Sequence, residues 1–410
     1  MGAKDQVSLT ELLRLPSPWR VVSARLDAAQ GKLFVEIEYP AGLAVFCSMC
    51  NAACVVHDHR EPRQYRHLDC LQYQTWLVCR LPRSRCAVHG VRTIAVPWAE
   101  PMARMTTQFE AHCIEVLLAC QTVTAAQRLL GLSDDEVMGV RQRAVQRGLA
   151  RRDLSTLRRG GLDEKSFLSG HSFVTVLSDL DGGCVLEVTR DRTQTAAEEA
   201  LSAIPQEVRG GVEAMALDMH QPFVNAVQST LPAADIVHDR FHIKKHLNDA
   251  VNKVRRAEHK ARSSSGDTRL SGTRYLFLRN PQNLSDAERL SFDELCRMQL
   301  RVTRAWGLKE LFDDLYTYRS EAWARRFFQK WFFRATHSQL PPVAKVAWMI
   351  KTRFAHVVTY VKHRITNAVA EGLNSKIQAL KSAARGFRNF DNYRAAILFH
   401  CGSLDLLPNT

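Results

Sequence analysis

The chain is 410 residues long, 46% hydrophobic and 24% charged, a balance that fits several folded domains and excludes a disordered polypeptide. No apolar run approaches the ~18 residues of a membrane span, and the amino terminus (Lys4, Asp5, Glu11) lacks the apolar segment of a secretory signal, so a cytoplasmic protein without membrane contact is expected. Lys and Arg total 56 against 42 Asp and Glu, a formal +14 that points to a polyanionic partner, and the 11 cysteines of a reducing compartment are not expected to form disulfides.

The chain opens with strand patterns. WRVVSARL and LFVEIEYP flank Gly31, and in the second Leu33, Val35 and Ile37 alternate with polar residues. Six cysteines (Cys47, Cys50, Cys54, Cys70, Cys79, Cys86) then fall within forty residues. Cys47-Ser-Met-Cys50 and Cys86-Ala-Val-His89 are two ligand pairs, each with the two-residue gap that lets a tight turn offer both ligands to one tetrahedral zinc. A Cys₃His site is closed, so the Zn²⁺ would be structural and would hold together a small β-rich module without a large core. His57, His59, His67 and Arg60, Arg63, Arg66, Arg80, Arg83, Arg85 make that module basic, as a DNA grip would be. The competing interpretation is a set of buried thiols with no metal. Cys54, Cys70 and Cys79 have poorer spacing and are expected to pack.

Helical periodicity begins near Thr106 and runs to Cys120. A second helix from Thr124 ends at Gly131, and Ser133 with Glu136 forms a capping box for a third. This is the pattern of a helix-turn-helix, whose last helix carries Arg141, Gln142, Arg143 and Arg147, side chains suited to phosphates and base edges. The plain alternative is a helical hairpin with a solvated basic face.

From Gly161 the pattern becomes α/β. GLDEKSF, HSFVTVLSD and CVLEVTR predict three strands, the last two joined across Leu180-Asp-Gly-Gly183; a helix over 195–203, the strand VEAMALD, a helix over 222–230 and the strand ADIVHD follow. From Arg240 onward the chain is almost wholly helical, with a Ser/Gly-rich break over 261–273 and a capping box at Ser285. Three carboxylates stand out: Asp163 in the first strand, Asp218 ending an apolar strand, and Glu371 in a late helix on the same face as Asn367, Asn374 and Gln378. Three such groups brought together would hold two Mg²⁺ ~4 Å apart for phosphoryl transfer. For a lone Asp at a strand end, a turn role is the ordinary alternative.

These strings together resemble the ISL3 family of bacterial insertion-sequence transposases. The resemblance runs through the zinc-type pairs, the helix-turn-helix, Gly-Leu-Asp163-Glu164, Ala-Leu-Asp218-Met-His-Gln-Pro-Phe and Ile-Val-His-Asp239-Arg-Phe-His242. It continues in Gly272-Thr-Arg-Tyr-Leu-Phe-Leu, Asn367-Ala-Val-Ala-Glu371-Gly-Leu-Asn and Arg385-Gly-Phe-Arg-Asn, nearly the whole chain. It implies a multidomain α/β plus α architecture: a β-rich zinc-finger module (1–100), a helix-turn-helix region (101–158), and a ribonuclease H-like core in two parts (159–242 and 361–410) split by a helical insertion (243–360).

The resemblance also implies catalysis by Asp163, Asp218 and Glu371, with Asp239 and His242 as accessory residues and Mg²⁺ bound by the triad. Lys376, Lys381, Arg385 and Arg388, beyond the glutamate, are candidates for DNA phosphates. His89 stands where many relatives would have Cys, which leaves a good ligand in place. The expected activity is binding of terminal inverted repeats, cleavage at the element ends and transfer of the 3′-hydroxyls to target DNA, with a homodimer or larger assembly on double-stranded DNA. The rivals are a non-enzymatic DNA-binding regulator derived from a transposase and a nuclease that cuts without joining. Within the insertion, ten aromatics (Trp306, Phe312, Tyr316, Trp323, Phe327, Phe328, Trp331, Phe332, Phe333, Trp348) are interleaved with Arg325, Arg326, Lys330 and Arg334. Helical spacing assigns most of them to packing, and any left outside would suit stacking on unpaired DNA ends.

Overall fold

The computed structural model describes residues 9–168, 172–365 and 368–409. Lys4, Asp5, His171 and Asn367, all used above, lie outside them. The chain forms two compact units, one running to Arg152 and including the stretch from Leu404 onward, the other from Asp153 to Ser403.

The first unit begins with the short helix α1 (Leu9–Leu12) and the strands β1 (Arg20–Asp27) and β2 (Lys32–Glu38), which turn through Gly31 at φ 65°. The cysteine-rich stretch supplies β3 (Val45–Phe46), β4 (Ala53–His59), β5 (Arg63–Arg66), β6 (Gln74–Cys79), β7 (Pro82–Cys86) and β8 (Gly90–Thr93). They make two four-stranded sheets, β1-β2-β6-β5 and β3-β4-β7-β8. Val35, Ile37, Tyr65 and Leu77 pack with Trp19 and Trp98 into a small core. Cys79 belongs to that core, where burial pushes its thiol up to about 12, so it packs as expected.

Three helices follow: α2 (Thr107–Cys120), α3 (Val123–Leu130) and α4 (Asp134–Arg151). Thr106 caps the first, Gly131 ends the second in the left-handed region at φ 62°, and Ser133 and Glu136 close a reciprocal capping box on the third. Each boundary follows from its cap chemistry.

In the second unit β9 (Arg159–Ser166), β10 (Phe173–Asp179), β11 (Cys184–Arg190), β12 (Ala214–Leu217) and β13 (Asp235–His238) form one sheet of order β11-β10-β9-β12-β13. The first three are antiparallel neighbours; β12 runs parallel to both β9 and β13. Strand alternation gives the sheet two apolar faces. Leu162, Leu177, Leu186, Met215, Leu217 and Ile236 pack under α5 (Gln194–Ser202) and α7 (Gln221–Thr230), with the short α6 (Gln206–Arg209) between them. Ala214, Ala216 and Val237 face the opposite way and share a core with the helical segment that begins at α8 (Arg240–Ser263).

That segment continues through α9 (Arg274–Leu278), α10 (Asp286–Arg297), α11 (Arg301–Asp313), α12 (Glu321–Thr336) and α13 (Pro341–Thr352). The short α14 (Phe354–Val358) and α15 (Tyr360–His363) return the chain to β13, where Thr359 Oγ1 donates to the Ile236 carbonyl at 2.6 Å. Two final helices, α16 (Ala368–Ala383) and α17 (Phe390–Cys401), close the unit. No described helix is long and apolar enough to cross a membrane.

Candidate active site

Strand register assembles the carboxylates. Leu217 is the partner of Leu162 on β9 and of His238 on β13. Next along the chain come Asp163, still on β9, and Asp218 and Asp239, which directly follow the ends of β12 and β13; the Asp239 N–H donates to the Leu217 carbonyl at 3.2 Å. Leu162 faces the α5/α7 layer, so Asp163 points to the other face. A small cleft there is lined by Asp163, Asp218, Asp239, His242, Ser178 and Ala370.

Each carboxylate is oriented by its neighbours. The Asp163 Oδ1 accepts the Glu164 N–H at 2.8 Å, its Oδ2 accepts the Asn374 amide at 2.6 Å, and Lys165 Nζ lies 3.5 Å from that oxygen. Asp218 Oδ1 accepts the His220 N–H at 2.9 Å. Asp239 caps α8 by accepting the Phe241 N–H at 2.9 Å, with His242 Nε2 at 3.7 Å. Asp239 is buried, and burial raises its pKa above the ordinary carboxylate value; the nearby charges of Glu371 and Asp163 push it the same way.

Glu371 occupies the exposed side of the first turn of α16, one residue beyond the cleft-lining Ala370, while Leu373, Ile377 and Leu380 bury the opposite face. The polar face read from the sequence thus turns partly inward, through Asn374. In the sequence Asn374 follows Glu371 by three residues on one helix face, and that spacing is the signal for its part in the site. Beyond it, Lys376, Arg385 and Arg388 are exposed, and Lys381 donates to the Ser166 carbonyl at 2.8 Å.

The ligand pairs of the first unit also converge. One ligand atom from each of Cys47, Cys50, Cys86 and His89 lies within 4.8 Å of the others. Cys50 Sγ is 3.8 Å from Cys86 Sγ, and His89 Nδ1 is 3.8 Å from Cys47 Sγ and 3.7 Å from Cys86 Sγ. The edge of a tetrahedron around zinc, with Zn–S near 2.3 Å, is about 3.8 Å. Backbone N–H groups favour the thiolate: those of His89 and Val88 bring Cys86 down to about 7, and those of Met49 and Cys50 lower Cys47. The four residues fit a zinc ion. Cys54 instead donates to the Ala52 carbonyl at 3.3 Å, and Cys70 is exposed elsewhere.

The arginines of α4 depart from expectation. Arg141 is buried, and Arg147 is clasped by Glu110 at 2.8 Å, Glu100 at 2.9 Å and the Leu406 carbonyl at 2.6 Å. Arg143 binds the other oxygen of Glu110 at 2.7 Å. Arg143 and Arg147 tie α4 to Glu110, Arg141 lies against Met138 of its own helix at 3.7 Å, and of the four candidates Gln142 is the exposed one. Glu110, buried at 2% exposure, is the residue the sequence reading missed; its signal was a lone carboxylate on the apolar face of Phe109, Cys113, Ile114 and Leu117. The exposed first turn of α4 is acidic (Asp134, Asp135, Glu136), which further disfavours phosphate contact there.

Comparison with known proteins gives the family. Residues 161–397 match a family model described as ISL3 transposase, and residues 94–145 match the helix-turn-helix domain of transposase family ISL3. The chain is 25% identical over 356 residues to the transposase for insertion sequence element IS1001 of Bordetella parapertussis, covering 85% of this chain and 87% of that protein. It is 24% identical over 394 residues to the transposase for insertion sequence element IS1557 of Mycobacterium tuberculosis, covering 88% and 87%. With more than half of its length matched by one family model, and a helix-turn-helix that implies DNA binding, the chain belongs to the ISL3 family and is a transposase.

Proposed function

We propose that the enzyme binds the terminal inverted repeats of its own element, cleaves DNA at each end and joins the freed 3′-hydroxyls to target DNA, acting as a dimer or larger assembly in the cytoplasm. The observation that carries this reading is the register that lines up Asp163, Asp218 and Asp239 beside the helix of Glu371. The sheet order, three antiparallel strands followed by two parallel ones, supports a ribonuclease H-like core.

In this reading Asp163, Asp218 and Glu371 are the catalytic ligands. Their donors are hard oxygens, the preference of Mg²⁺. Two such ions supply charge neutralisation and nucleophile activation for in-line displacement at phosphorus. The chain's own groups set the geometry. Asn374 and the Glu164 N–H hold the Asp163 carboxylate, the His220 N–H holds that of Asp218, and the α8 cap fixes Asp239 so that His242 is positioned beside it. Lys376, Arg385 and Arg388 lie on the surface past Glu371 and suit phosphate contacts, with Lys381 alongside. Zn²⁺ on Cys47, Cys50, Cys86 and His89 would be structural.

Cleavage of a labelled duplex carrying the element's ends, with and without Mg²⁺, tests the assignment. Asp163→Asn, Asp218→Asn and Glu371→Gln should each slow nicking about a thousandfold or more while specific binding in a gel shift is retained. A variant that still cleaves removes its residue from the site. Specific binding with no cleavage in any metal would favour the regulator.

A further inference from the structure

The structure sorts the insertion's aromatic residues into two groups. Phe312, Phe328 and Trp331 are buried, whereas Trp323 is 58% exposed, Phe333 61% and Trp348 53%. On α12 the division follows the helix wheel. Ala324, Phe328, Trp331 and Ala335 face the core, and Trp323, Arg326, Lys330 and Phe333 form a stripe on the other side, continued by His337 at the carboxyl-terminal cap. The stripe spans about 21 Å.

Ring and cation alternate along it. The Arg326 guanidinium lies 5.2 Å from the Trp323 ring centroid. Lys330 and Arg334 line a shallow cleft with Gln329 and Phe333, and Phe333 stacks on His337 at 4.0 Å. Glu321, the one carboxylate of this helix, is engaged by Arg325 at 3.2 Å. On α13 the pairing recurs: Lys351 Nζ is 4.8 Å from the Trp348 ring, which meets Phe332 edge-on at 5.0 Å.

Large rings left in water forgo the stabilisation that burial would give them, and a cluster of them marks a binding surface. Interleaved cations with no carboxylate among them select an anionic partner. The combination fits a polyanion that also offers flat apolar plates. Paired bases have both faces covered by their neighbours in the stack, whereas unpaired bases present an open face to a ring. We propose that the outer face of α12 and α13 binds unpaired DNA, with Trp323, Phe333 and Trp348 stacking on bases and Arg326, Lys330 and Arg334 contacting phosphates.

Fluorescence anisotropy of the full-length protein, without added divalent metal so that no cleavage intervenes, tests this directly. The probes are a labelled 20-nucleotide oligothymidylate and a 20-base-pair duplex. Trp323→Ala combined with Phe333→Ala should weaken oligothymidylate binding on the order of tenfold or more, and duplex binding by less than about twofold. Because both side chains are exposed, the variant's circular dichroism and melting should match the parent, and Trp323→Phe with native Phe333 should retain most of the affinity. Unchanged oligothymidylate binding would overturn the proposal. So would equal losses on both probes, which would indicate charge alone. Altered oligomeric state in sedimentation with unchanged DNA affinity would assign the face to a protein contact instead. None of these outcomes depends on the carboxylate cleft being catalytic.

Discussion

The cysteine–histidine cluster and the carboxylate cluster of this transposase are built in opposite ways. Cys47, Cys50, Cys86 and His89 come from two tight turns, and backbone N–H groups of the same turns stabilise the thiolates of Cys47 and Cys86. Asp163 comes from β9 and Asp218 and Asp239 directly follow β12 and β13, and the pairing of those strands brings them to one cleft. The first cluster stands in a module of short strands over a small core, so its metal would be part of the fold. The second stands beside a sheet with apolar residues packed on both faces, so its fold has a core of its own. Ligands that hold a fold together are costly to remove. Carboxylates that a fold crowds together disfavour one another's charge, as Glu371 and Asp163 do that of Asp239.

The largest expected effect tests the first half of that contrast. Stripping zinc, or Cys86→Ser, should unfold the module before α2, since structural zinc contributes on the order of 10 kcal/mol to folding in small domains. Zinc content by atomic absorption, followed with circular dichroism and repeat binding, checks it. Verified metal loss with an unchanged melt and unchanged binding would show the thiol cluster to be merely packed.

Next in size is the ion-pair clasp around Glu110 that holds Arg143 and Arg147 of α4. Glu110→Gln leaves two guanidinium groups short of their buried partner and should cost about 3 kcal/mol in denaturant unfolding. A cost below about 1 kcal/mol would mean that Arg143 and Arg147 are free to serve elsewhere, and would restore them as DNA candidates.

Asn374→Ala probes how the carboxylates are held. It removes the amide that fixes Asp163 Oδ2 and should lower cleavage roughly tenfold to a hundredfold with end binding unchanged. Equal cleavage would mean that the Glu164 N–H alone orients Asp163.

What was legible beforehand follows the same division. Caps, turns and the cysteine pairs act within a few residues, and the elements they delimit begin and end where their chemistry requires: Thr106, Gly131 and Ser133 are examples. Strand ends and a helix face single out Asp163, Asp218 and Glu371, but their pairing in space could not be read locally, because register is set by sheet packing and not by local pattern. The surroundings of the α4 arginines were hidden for a related reason. A helix wheel separates two faces, but which face a neighbouring helix covers depends on Glu110, 33 residues before Arg143. The aromatic stretch could be divided only once the core side of α12 was known.

The smallest effect has the opposite sign to the first. Asp239→Asn keeps a good helix cap and removes a charge that burial and the neighbouring Glu371 and Asp163 disfavour, so in chelator at neutral pH it should raise the melting temperature by about 2 °C. The pH dependence fixes the cause. An aspartate whose folded pKa is raised favours the folded state at low pH and loses that contribution as pH rises through the folded value. The variant's advantage should therefore vanish below about pH 4, where both folded and unfolded forms are protonated, and grow above it. Adding Mg²⁺ should then stabilise the parent more than the variant, narrowing or reversing the gap, because the cation takes up the repulsion that the substitution had removed. A gap that is flat across pH and blind to Mg²⁺ would place Asp239 outside the cation's reach, and would leave it as the α8 cap alone.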